Sequence, residues 1–214
     1  MESLRKRKKS EELIATDNMR ARGSAQLMEE AQPPWFTAWS VKFQEPISDP
    51  RVIAAMLLQK RPDERWLLLG HATPVSERHL WAAWLALRER VNSSTMISNS
   101  IDGEFMRLLA GTHQMSVAFH RTGVRAGDEK AWLVRLPEWN ESMDDDQISI
   151  IGPSGNYDDD LYQLMSWLEC DLVPERPTAS KLTIERLELT NQPNQNEYSL
   201  EQQLMMRLSI TDLD

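Results

Sequence analysis

Residues 78–136 constrain the fold more than any other stretch, because the hydrophobic pattern there changes period at fixed punctuation residues. Ser76 is suited to cap a helix that begins with Glu77 and Arg78, and Leu80, Trp81, Trp84, Leu85, Leu87 and Val91 then form a wide apolar face. After a polar loop over 92–100, Ile101, Phe105, Leu108 and Leu109 define a second helix that stops at Gly111. Met115, Ala118 and Phe119 mark a third helix ended by Gly123, and 131–136 read as a strand. That order points to a binding module built from helix ends and helix faces, not to an active site.

The flanks supply the sheet. Over 38–45, Trp39, Val41 and Phe43 alternate with Ser40, Lys42 and Gln44, which predicts a strand with one buried face. Asp49 with Pro50 opens a helix striped by Val52, Ile53, Met56 and Leu57, and the apolar run 66–69 before Gly70 predicts a strand covered on both faces. Further on, 148–151 fit a short strand, 158–170 a helix with acids at its N-terminus, and 180–189 a weak helix or strand. The expectation is an α+β domain over 35–214, with a mostly antiparallel sheet of about four strands flanked by helices. Residues 1–34, basic at 5–9 and closed by Pro33-Pro34, read as a mobile arm.

Charge is asymmetric in this 214-residue chain of net charge −9: residues 1–70 and 71–135 are each +2, and residues 136–214 are −13. The arginines of the middle can therefore present a local positive face to phosphate, or simply belong to a mixed-charge solvated surface. No apolar run approaches a membrane span, no secretory signal is seen, and one cysteine allows no internal disulfide, so a cytoplasmic protein is expected.

Thr112 is placed to cap the third helix, where Gly111, Thr112, His113 and Gln114 would expose amides at its positive end; the same residues also fit a plain tight turn. Trp81 and Trp84 suit either a core or a partner surface. His113 and His120 lack a third ligand, the acids at 144–146 and 158–160 lack calcium-loop spacing, and 152–155 form neither a phosphate loop nor a nucleophile elbow. No catalytic set, metal or cofactor is expected.

Three segments carry a family likeness. His79-Leu80 followed by Ala82, Ala83 and Ala86 is similar to a His-Leu-x-x-Ala helix; IDGEFMRLLAGTHQMSVAFHRTGV, with Glu104, Gly111, Gln114, Ala118 and Gly123 in place, resembles a helix, turn and helix ending in Phe-Gly-Ile or Phe-Gly-Val; LEQQLMMRLSITDLD, with Arg207 before Leu208-Ser209, resembles a closing helix. The family is that of TPRKB, the PRPK-binding protein, which supplies the kinase-binding subunit of the KEOPS complex. The resemblance implies a non-catalytic accessory subunit that binds a kinase-like ATPase and holds the tRNA acceptor end while a sister subunit makes threonylcarbamoyl-adenosine. On that reading Arg88, Arg107, Gly111, Thr112, His113 and Gln114 are the expected tRNA contacts, and Leu80, Trp81, Trp84, Leu87 and Arg207 the expected partner contacts. The loop 92–100 lacks the family's basic residues, and His113 stands where the family has Arg. The alternative is a stand-alone RNA-binding or scaffold protein of the same fold.

Overall fold

The computed structural model of the protein describes residues 35–138, 157–189 and 199–211. The expected arm at 1–34, strand at 148–151, acidic run at 144–146 and Gly-Pro-Ser-Gly segment at 152–155 lie outside them. The described elements follow in the order β1 (Ala38–Phe43), α1 (Pro50–Lys60), β2 (Trp66–Gly70), α2 (Glu77–Asn92), α3 (Ile101–Ala110), α4 (Met115–Thr122), β3 (Lys130–Arg135), α5 (Asp158–Leu168), β4 (Cys170–Val173), α6 (Lys181–Arg186) and α7 (Leu200–Ile210). The strands form one sheet of order β2-β3-β1-β4, and every neighbouring pair is antiparallel. The α+β class is as the sequence predicts.

Strand alternation places one core on each face of the sheet, apart from a smaller cluster of Val75, Leu187, Leu189 and Leu204. Ala38, Leu67, Leu69, Trp132 and Val134 point to one face, where Leu80, Trp81, Trp84 and Leu87 of α2 and Phe105, Leu108 and Leu109 of α3 cover them. Val41, Phe43, Trp66, Leu68 and Leu133 point to the other, under Leu57 of α1 and Leu161, Leu164, Met165 and Leu168 of α5. The result is helices, sheet, helices.

This layering corrects three expectations. β1 is buried on both faces, since Ala38 and Ser40 face one core while Val41 and Phe43 face the other. The half-exposed pattern of its sequence reflects Ser40, a polar side chain buried at 1 % exposure. The α5 helix stops at Leu168, because Glu169 takes a left-handed φ of 52° and turns the chain into β4, where Cys170 lies opposite Phe43. β4 has no readable alternation, being a four-residue edge strand on which only Cys170 is buried. Finally, Phe119 of α4 is 51 % exposed instead of buried, and Ala118 and Thr122 carry that helix's contact with the core.

The caps predicted at Asp49 and Ser76 form. Asp49 accepts from the Arg51 N–H at 2.8 Å and Pro50 opens α1; Ser76 accepts from the His79 N–H at 3.1 Å at the start of α2. A cap of this kind stabilises a helix by about 1 kcal/mol. The apolar face of α2 contributes more, since burying each of Leu80, Trp81, Trp84 and Leu87 is worth about 1.5–3 kcal/mol.

Candidate binding surface

The segment 97–123 is organised around one buried ion pair. Glu104 and Arg107 lie one turn apart on α3, and both side chains are fully buried. Arg107 Nη2 donates to Glu104 Oε1 at 2.5 Å and Arg107 Nε donates to Oε2 at 3.1 Å. The same Oε2 accepts the backbone N–H of Ile97 at 3.2 Å and of Ser98 at 2.8 Å, so the carboxylate holds the end of the loop before α3. Arg90 of α2 approaches Oε1 at 3.7 Å. Burial alone would raise the Glu104 pKa, but the hydrogen bonds from Arg107, Ser98 and Ile97 outweigh it and hold the carboxyl below its ordinary range.

Arg107 carries the arrangement onward. Its Nη1 donates to the Thr112 carbonyl at 3.2 Å, which ties the ion pair to the turn between α3 and α4. Gly111 ends α3 with φ 60° and ψ 55°, the left-handed conformation that favours glycine. A Cβ at Gly111 would lie 2.6 Å from Cγ of Arg207, because the stem of that arginine rests on the turn. Arg207 Nη1 in turn donates to the Leu187 carbonyl at 2.7 Å. Backbone conformation and space both require glycine here.

Beyond the turn, Gln114 is the N-cap of α4 and makes no side-chain capping bond. This corrects the expectation for Thr112, whose Oγ1 accepts the Gln114 N–H at 3.3 Å instead of capping the helix. With the cap position unfilled, the N–H groups of Met115, Ser116 and Val117 have no acceptor among the described residues. Nε2 of His113 is shielded from solvent and likewise has no partner among the described residues. Open amides at a positive helix end can receive a phosphate or carboxylate.

The expected tRNA contacts therefore separate into three groups. Gly111, Thr112, His113 and Gln114 form one continuous, partly exposed turn. Arg107 touches that turn, but from inside; with no exposed surface it positions the turn and cannot contact a phosphate directly. Arg88 lies on α2, its guanidinium 5.8 Å over the Trp84 ring. The expected partner set needs the larger correction. Leu80, Trp81, Trp84 and Leu87 belong to the core, with Trp81 packed edge-on against Phe36 and Trp84, and are closed to a partner. Arg207 is half-buried and engaged by Leu187 and Gly111.

Sequence reading missed the surface that lies beside that core. Where α2 and α7 meet, Arg78, Glu201, Gln202, Met205 and Met206 line a shallow depression, and Met206 is 54 % exposed. Its only sequence signal was the Met205-Met206 pair, which the 3.6-residue period divides between a half-buried and an exposed position. A second opening, along the outer edge of β2, is lined by Leu58, Leu68, Met106 and Phe119 among others. No helix among the described residues is long and apolar enough to cross a membrane. Neither a scan against models of protein families nor a search of curated proteins finds a match for the chain.

Proposed function

We propose that the protein is a non-catalytic accessory subunit of the KEOPS tRNA-modification assembly, which binds and supports the kinase-like ATPase in the cytoplasm and helps to hold the tRNA acceptor end. The observation that carries this reading is the contact between Gly111 and Arg207. These residues belong to two of the resembling segments, 96 positions apart in sequence, and they meet on one surface. The open amide end of α4, next to the same turn, supports a phosphate contact there.

With the apolar face of α2 committed to the core, the kinase-facing residues are proposed to be Met205 and Met206, flanked by Arg78 and Gln202. The apolar thioethers would supply the buried centre of such a contact and the polar neighbours its rim. Reconstitution tests the function directly. The remaining KEOPS subunits of the same source are assembled with and without this chain, and threonylcarbamoyl-adenosine is quantified by mass spectrometry of digested tRNA. Addition of the chain is expected to raise its formation; equal yields would contradict the assignment.

A further inference from the structure

β2 is an edge strand, and its outer side opens on a groove lined by Leu57 and Leu58 of α1, Met106 of α3 and Phe119 of α4. The Leu136 N–H bonds to the Arg65 carbonyl at 2.8 Å, so in the antiparallel register the bonded pairs are Arg65 with Leu136, Leu67 with Val134, and Leu69 with Trp132. Alternation then directs the N–H and C=O of Trp66, Leu68 and Gly70 outward. Arg61 Nη1 donates to the Trp66 carbonyl at 2.9 Å and the Thr73 N–H to the Gly70 carbonyl at 2.9 Å, which closes both ends of the strand. Both backbone groups of Leu68 remain without a partner among the described residues.

Those groups face a groove of about 390 Å³. On the α1 side its wall is Leu57 and Leu58, the latter 56 % exposed; on the other side it is Met106 and Phe119. Apolar groups thus stand on both sides of an unsatisfied strand edge, an arrangement that exposure to water alone does not favour. At the rim, Arg61 is neutralised by Asp102 at 2.6 Å. Arg51 is exposed and has no acidic partner among the described residues, which leaves the groove one positive charge in a chain of net −9.

We propose that this groove binds one extended segment of a partner protein, which adds to β2 as a fifth strand and presents a carboxylate to Arg51. Leu68 would exchange two backbone hydrogen bonds with the segment, whose alternate side chains would enter the α1 wall and the Met106–Phe119 wall in turn. A second copy of β2 matches the groove less well, because its sequence, WLLLG, carries no acid for Arg51. The ligand is therefore a tail or linker with apolar residues at every second position and an acid nearby. The proposal goes beyond the KEOPS reading and does not depend on it.

The test is selection of random peptides of roughly ten residues displayed on phage, about twice the length of β2, against the full-length protein. Enriched peptides are then synthesised with a fluorophore and titrated by anisotropy. The expected result is a consensus of alternating apolar residues with an acid, bound at least about tenfold more weakly by Leu58→Glu and by Phe119→Glu. N-methylation of the peptide's central residue should weaken binding comparably, and Arg51→Glu should remove the preference for an acid. Both wall positions are exposed, and circular dichroism of the variants checks that they fold. No enrichment, or peptides indifferent to the wall variants, would overturn the proposal. So would a concentration-dependent dimer abolished by Leu58→Glu, which would make a second copy the occupant.

Discussion

Replacing Glu104 by Gln is expected to cost about 3–5 kcal/mol of unfolding free energy, read as a lowered urea midpoint at unchanged slope. The substitution keeps the shape of the side chain but leaves Arg107 charged, fully buried and without its counter-ion. It also weakens the acceptor that holds the amides of Ile97 and Ser98, so hydrogen exchange at those two positions should quicken well before global unfolding. The size of the effect does not mean that the ion pair contributes the same amount to stability. Both charges lost their hydration on folding, so replacing the two together by Met at 104 and Leu at 107 should recover much of the loss. What the double variant should not recover is the bond from Arg107 to the Thr112 carbonyl, and the turn at 111–114 should stay loosened. A single variant as stable as the wild type would show that the pair is solvated in solution.

Acidification should expose the second large effect. His79, in the first turn of α2, is completely buried, and neither ring nitrogen completes a hydrogen bond, although the Leu109 backbone of α3 lies close enough to offset part of the burial. Burial lowers its pKa from 6.5 to about 4. Folded protein therefore keeps His79 neutral where unfolded chain takes up a proton. Stability is fully present above about pH 6.5 and falls as pH drops toward 4, by about 3 kcal/mol in all and about 2 kcal/mol between pH 7 and 5. Carboxylates with depressed pKa values, such as Glu104, lose their contribution only at lower pH, so the window near 5–6 reports mainly on histidine. Urea unfolding at pH 7 and 5, compared with His79→Phe, checks this. The variant should lose the part of the slope that His79 supplies; identical slopes would show that the ring is protonated and hydrated in the folded state.

Much of this fold was legible because the local signals agreed with the tertiary structure. Asp49-Pro50, Ser76 and Gly111 marked helix ends, and the run at 66–69 gave a strand covered on both faces. Where the reading failed, tertiary context had decided. Nothing in the alternation of β1 signals that Ser40 is buried, and four residues with only Cys170 inside leave β4 with no pattern to see. The site was harder. An apolar helix such as α2 is equally suited to core or interface, and only the packing of Trp81 on Phe36 and of α3 over the sheet resolves that ambiguity in favour of the core. The buried pair left a trace in the three-residue spacing of Glu104 and Arg107, but the spacing does not reveal that both side chains are dry. The Gly111–Arg207 contact has no local signal at all, since it joins residues far apart in sequence.

The most direct measurement is light-scattering chromatography of the full-length protein mixed with the KEOPS kinase-like subunit of the same source, repeated with Met206→Glu. Position 206 is exposed, so the variant should fold as the wild type does, whereas changes at Trp81 or Trp84 would damage the core. The proposed kinase contact predicts a one-to-one complex with the wild type, weakened at least about tenfold by the new charge on α7. Two separate peaks at protein concentrations of about tens of micromolar would contradict it.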